Sequence, residues 1–283
     1  MYRRAGWDAE MKTIKNPRED GEYITSLARG LSVLRTFSRQ RPEMTLSEVA
    51  NACDLSPAVV RRCLNTLMHL GYIGKNGKLF LLRPEVMTIA SAYLESMNLE
   101  EVVQPHLQNL RDEIGDSSSL AVLLDDEILY LIHVSTKRMI RLNAGVGTRF
   151  PIYATSMGRV LMAYQEKQVR EDYLHRAKFV ALTDKTVTSV TELRTIFKKA
   201  RKDGYAIIQD ELDYGIISIS VPILNECNEV IAAINCSTST ARVTQEAMVK
   251  SRLPKLFKVA KNIEMELRRY PILSHSVARS NTD

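Results

Sequence analysis

The sequence predicts an α+β protein in two parts: a small N-terminal head of helices with a β-hairpin, and a larger body of antiparallel strands flanked by helices. Three observations carry this. In the first third, apolar residues recur at helical spacing in three short blocks, then give way to two strand-like runs around a glycine turn. Beyond residue 98, strand-like runs follow one another with helices before and after them, the order of an α+β layer and not of a doubly wound sheet. Charge divides the chain in the same way. Residues 1–85 hold 14 Lys and Arg against 9 Asp and Glu, which is +5 of the +6 carried by all 283 residues.

The elements follow in order. Residues 1–22 are polar and read as a flexible arm, without the apolar core of a secretion signal. Leu27, Leu31, Leu34 and Phe37 mark a first helix at about 25–39, ended by the stretch RQRPEM. Thr45 and Glu48 fit a capping box that opens a short helix to about Ala52. Cys53, Asp54 and Leu55 form a turn. Ser56-Pro57, a capping hydroxyl before a proline, starts a third helix that stops at Gly71. Tyr72-Ile73 and Leu79–Leu81 are strands around a tight Asn-Gly turn at Asn76-Gly77. Helix, helix, turn, helix and hairpin within about sixty residues make a winged helix-turn-helix over 23–83.

A connecting helix is expected over 84–98, from Pro84 to about Met97. The body, 99–270, opens with a helix over Leu99–Ile114. Strands are expected at Ser118–Leu124, Glu127–Val134 and Met139–Asn143. A helix starts near Thr155, and others span about Gln165–Arg176 and Ser189–Asp203. Strands return at Tyr205–Asp210, Gly215–Leu224 and Val230–Ser237. One long helix from Thr244 to about Arg269 closes the body, and 271–283 reads as a disordered tail.

Placed on a helical wheel, Val60, Cys63, Leu64 and Leu67 share one face of the third helix, and Ala58, Arg61, Arg62, Asn65 and His69 the other. Arginine can donate two bonds to guanine and asparagine can pair both edges of adenine, so this face suits the major groove. Lys75 and Lys78 on the hairpin suit phosphates or the minor groove. A lone amphipathic helix with solvated charges would look much the same; the turn, cap, face and wing together favour double-stranded DNA as the partner. The residues expected at the DNA are Thr45, Ser56, Ala58, Val59, Arg61, Arg62, Asn65, Lys75 and Lys78.

Other classes fare poorly. The chain lacks G-x-S-x-G, a phosphate-binding P-loop, H-E-x-x-H and a complete dinucleotide fingerprint, so no catalytic residue is assigned. Asp125, Asp126 and Glu127 occupy a hairpin turn, where Asp is common, and the run at 211–213 reads as loop. The four cysteines form no C-x-x-C and have no histidine at ligand spacing, so neither metal nor cofactor is expected. Cys53 and Cys63 fall on apolar phases and read as buried thiols. No run reaches membrane-spanning length, and the cytoplasm is the expected compartment.

These segments together resemble the IclR-type regulators over about residues 23–270. The head carries the resemblance in SLARGLSVLRTF (26–37), TLSEVANACDLSPAVVRRCLNTLMHLGYI (45–73) and LLRPEVMTIA (81–90). The body carries it in LYLIHV (129–134), RLNAGVGTRFPIYATSMGRVLMAY (141–164), DGYAIIQDELDYGIISISVPI (203–223) and VIAAINCS (230–237). Cys63 stands where that family usually has Leu. The opening EYITSLARGLSVL further resembles the aromatic-catabolism branch, the PcaU, PcaR and PobR type. The resemblance implies a GAF-like effector domain, a homodimer or dimer of dimers, a near-palindromic operator and a small organic acid as effector. For that branch the acid is protocatechuate, para-hydroxybenzoate or β-ketoadipate. A small aliphatic oxo-acid is the alternative, and RNA polymerase as a further partner is left open.

A carboxylate needs donors, and Thr155-Ser156-Met157-Gly158 at a helix start supplies outward backbone N–H groups. Period-2 alternation puts Ser218 and Ser220 on one face of their strand, and Asn235 and Ser237 on one face of theirs. Such polar faces can also simply meet water. The resemblance maps Ser156, Met157, Ser218, Asn235 and Ser237 onto ligand-contacting positions. It puts Ile208 where oxo-acid binders carry an acidic group. Arg141, Arg149 and Arg159 are candidate carboxylate partners, with a surface location as the plainer reading of each.

Overall fold

The computed structural model describes residues 23–38, 40–136 and 144–277. The N-terminal arm, the strand expected at 139–143, Arg141 and residues 278–283 lie outside them. The chain divides between Tyr93 and Leu94 into two compact units, each with an apolar core.

In the first unit, α1 covers Thr25–Arg35, β1 Glu43–Thr45, α2 Leu46–Cys53 and α3 Pro57–His69, followed by β2 Ile73–Asn76 and β3 Leu79–Leu82. The capping box at α2 is formed: Glu48 N donates to Thr45 Oγ1 at 3.3 Å, and Thr45 N to Glu48 Oε2 at 2.7 Å. Asp54 closes α2 in the left-handed region (φ 52°), which turns the chain into α3. The hairpin loop is Gly77-Lys78, since Asn76 pairs with Leu79; the positive φ of Gly77 (58°) is the type II′ pattern. The sheet has a third strand that sequence reading missed. β1 pairs antiparallel with β3, and only Met44 of its three residues is buried, too short a run to show alternation. The core beneath is built from Val33, Val49, Val60, Leu64, Leu67 and Phe80, with Cys53 and Cys63 half-buried at its edge.

The connector α4, Val86–Ser96, is apolar, yet none of its described residues is buried. Leu99–Ile114 is not one helix. It splits into α5, Leu99–Val102, and α6, Gln104–Ile114, with Pro105 in the first turn of α6. Proline removes an N–H and clashes with the preceding turn, so it starts helices and interrupts them. The same occurs at Pro254, where the long closing helix divides into α10, Gln245–Ser251, and α11, Leu253–Leu267. The tail expected to be disordered instead forms α12, Ile272–Val277, with Leu273 fully buried.

Between these lie β4 Ser117–Leu124, β5 Glu127–Val134, β6 Arg149–Pro151, α7 Ser156–Ala163, α8 Lys167–Arg176, α9 Val190–Asp203, β7 Ala206–Gln209, β8 Ile216–Leu224 and β9 Val230–Ser239. The strands form one antiparallel sheet in the order β6-β5-β4-β9-β8-β7. α7 lies on one face, where Met157, Val160 and Leu161 pack with Ala121, Tyr130 and Ala233. α6 and α11 cover the other. The edge strand β6 is three residues long and had no sequence signal of its own.

Candidate DNA interface and candidate effector site

On α3 the apolar face is spent on the core, and Ala58, Arg61, Arg62, Asn65 and His69 are exposed. Val59 is half-buried. Lys75 and Lys78 are exposed on the hairpin. Two expectations change in detail. Ser56 stands at the cap position of α3, but its hydroxyl makes no capping bond, so it remains open to an external partner. Thr45 is the reverse case: its hydroxyl is engaged with Glu48, donating at 2.8 Å, and serves the helix cap.

In the second unit the start of α7 meets the polar rows of β8 and β9. Thr155 caps the helix, its hydroxyl accepting from Gly158 N at 3.1 Å. The amides of Ser156 and Met157 make no hydrogen bond to a described residue, and both residues are buried. Ser156 Oγ lies 2.9 Å from Ser218 Oγ and 2.6 Å from Ser220 Oγ. Asn235 Nδ2 donates to Ser218 Oγ at 3.1 Å. Ser237, opposite Ser218 in register, is half-buried on the same face. The polar rows therefore face α7, while Ile217, Ile219 and Val221 point to the other side and are buried there. Ile208, opposite Ser218, is 2% exposed and adds an apolar wall.

Gly158 has a specific reason. A Cβ there would come within 2.5 Å of Ile152 Cα and O, so only glycine lets the loop at 152–155 pass over the helix start. Gly158 thus shapes the turn that presents the two open amides.

The arginines resolve differently. Arg149 is a surface residue paired with Glu127 at 2.6 Å. Arg159 is 3% exposed and bound on every side: Nε donates to Tyr153 O at 2.8 Å, and Nη1 and Nη2 to Glu211 at 2.8 and 2.5 Å. Glu211 also accepts from Val187 N at 3.2 Å. Neither arginine is a free carboxylate partner. Glu211, read from sequence as loop, is the anchor that ties α7 to the segment around 183–187. The acidic turn is structural as well: Asp126 pairs with Arg176 and Glu127 with Arg149, although burial pushes the Glu127 carboxyl above its ordinary value.

Two family models match the chain: the IclR helix-turn-helix domain over residues 26–77, and the bacterial transcriptional regulator IclR C-terminal domain over residues 91–265. The chain belongs to the IclR family. It is a DNA-binding transcriptional regulator with an α+β domain for a small-molecule effector. Among similar proteins is the Pca regulon regulatory protein of Pseudomonas putida, 36% identical over 89% of this regulator and 87% of that protein. Another is the p-hydroxybenzoate hydroxylase transcriptional activator of Acinetobacter baylyi, 30% identical over 86% and 91%. An IclR homologue from Microbacterium hydrocarbonoxydans, solved with 4-hydroxybenzoate, superposes with a TM-score of 0.72 at 26% identity, covering 87% of this chain and all of that one.

Proposed function

We propose that this regulator controls genes of aromatic-acid catabolism in response to an aromatic carboxylate or a product of its breakdown, of the protocatechuate, para-hydroxybenzoate or β-ketoadipate type. The carrying observation is the buried polar cluster of Ser156, Ser218, Ser220 and Asn235 beneath two open amides. Burying polar groups is costly unless they are satisfied or used, and a helix start holds an anion without a buried counter-charge. The carboxylate sits at the Ser156 and Met157 amides, with Thr155 and Gly158 shaping the turn and Ser218, Asn235 and Ser237 around the ligand. Ile208 suits a flat apolar ring better than an acidic residue would. The relatives named for the Pca regulon and for p-hydroxybenzoate hydroxylase, and the homologue holding 4-hydroxybenzoate, support the same class.

Two heads read a near-palindromic operator, with Arg61, Arg62 and Asn65 at bases and Ser56, the α3 amides of Ala58 and Val59, Lys75 and Lys78 at phosphates. The regulator works in the cytoplasm as a homodimer or dimer of dimers and has no enzymatic role. Calorimetric titration with aromatic acids tests the effector site. Ser156→Pro, which removes a first-turn amide and the hydroxyl, should weaken binding by about 1–3 kcal/mol and leave effector-free DNA binding unchanged. Undiminished affinity would place the anion elsewhere.

A further inference from the structure

The polar row under α7 does not stop at Asn235. In register, Ser220 lies opposite Asn235, Asn235 opposite Ser119, and Ser119 opposite His133, so one line of polar side chains crosses from β8 through β9 and β4 to β5. Ser220, Asn235 and Ser119 are buried and His133 is half-buried. Ser119 Oγ and His133 Nδ1 are 2.9 Å apart. Asn235 is 3% exposed, and while its Nδ2 is bonded to Ser218, its Oδ1 has no partner among the described residues. The Tyr130 hydroxyl lies beside the Asn235 side chain and interacts with it, yet Asn235 Oδ1 is left without a partner among the described residues. The rings of Tyr130 and Phe150 stack edge to face beside His133. An orphaned buried acceptor flanked by a serine–histidine pair is expensive in a core unless something donates to it.

We propose that Asn235, Ser119 and His133 form the second polar end of the effector site and recognise a hydroxyl on the ligand ring, on the side away from the carboxylate. This deepens the effector reading above and rests on it. A hydroxyl donates to Asn235 Oδ1 and accepts from the serine–histidine pair, which a second carboxylate, having no proton to give, cannot do. β8 and β4 are two strand spacings apart, about 10 Å, which is comparable to the length of one ring with a polar group at each end. His133 offers Nε2 to the ligand while Nδ1 holds Ser119, and burial keeps the imidazole below its ordinary pKa and neutral at pH 7.

The test is calorimetric titration of the full chain with benzoate, 3-hydroxybenzoate and 4-hydroxybenzoate. Wild type should bind one hydroxybenzoate about 10-fold or more tighter than benzoate, because a site built for a hydroxyl leaves polar groups unpaired without it. Ser119→Ala and His133→Phe should collapse that ratio while benzoate affinity stays within about 2-fold. Ser119→Ala removes one atom and carries the test should His133→Phe fail to fold. Equal wild-type affinity for all three acids overturns the hydroxyl subsite and leaves the aromatic-acid reading standing. So does an unchanged ratio in the variants, or an equal loss for benzoate, which would make the pair merely structural. If wild type binds none of the three, nor protocatechuate titrated beside them, the hydroxyl subsite falls and an effector of the open-chain β-ketoadipate type is what the proposed function retains.

Discussion

At the scale of single residues, similar side chains divide by what surrounds them. Arg62 and Arg159 are both arginines on amphipathic helices, yet one is exposed beside Asn65 and the other is closed inside a carboxylate, a carbonyl and the core. Arg62→Ala and Asn65→Ala should each weaken operator binding by about 1–3 kcal/mol with little change on random DNA. Lys78→Ala should weaken both about equally and flatten the salt dependence. Fluorescence anisotropy on the two DNAs separates these, and equal losses in all three variants would refute the sorting. Arg159 has a different prediction. Arg159→Met leaves Glu211 buried without its partner and should cost about 3–5 kcal/mol in urea unfolding of the body. A loss under about 1 kcal/mol would mean that Glu211 reaches water in the variant.

At the scale of elements, local signals placed the helix starts well. The Thr45–Glu48 box, the Ser56-Pro57 helix start and the helix start near Thr155 stand where the sequence put them, although the Ser56 hydroxyl makes no capping bond. The failures have physical causes too. Helical periodicity ran through Pro105 and Pro254, but the backbone cannot, so two expected helices became four. β1 and β6 exist only because a neighbouring strand supplies their hydrogen bonds. The α7 start gives the prediction of this scale. Gly158→Ala forces a methyl against the backbone of Ile152, so α7 must shift from the 152–155 loop. We expect loss of effector binding and a lower melting temperature for the body, with effector-free operator binding retained. Thermal melts with and without ligand check it, and a variant that still binds effector at wild-type affinity would show that the loop yields instead.

At the scale of the molecule, the head leaves apolar surface unused. Leu27 and Leu31 share one face of α1 and are 60% and 46% exposed, Ile24 just before the helix is 63% exposed, and Met87 and Ile89 of α4 are similarly open. Exposed apolar faces often mark interfaces, and under the homodimer proposed above a second copy of the head would cover this one and supply the second reading helix. Leu27→Asp should therefore shift sedimentation toward monomer and weaken operator binding by more than 10-fold (about 1.4 kcal/mol). A variant that stays dimeric would put the contact on another surface.

The sequence by itself determined what is written in neighbours a few residues apart: the helix-turn-helix with its wing, the outward face of α3, the basic head and the start of α7. It also separated the polar from the apolar phase of β8 and β9, because strand alternation is local. Tertiary structure alone decided which strands meet. It set Ser156 against Ser218 and Ser220, more than sixty residues onward, and closed Arg159 on Glu211. It extended the polar row through Ser119 to His133. Strand order and cross-chain pairing follow from burial summed over the whole sheet, and no short window of sequence carries that sum.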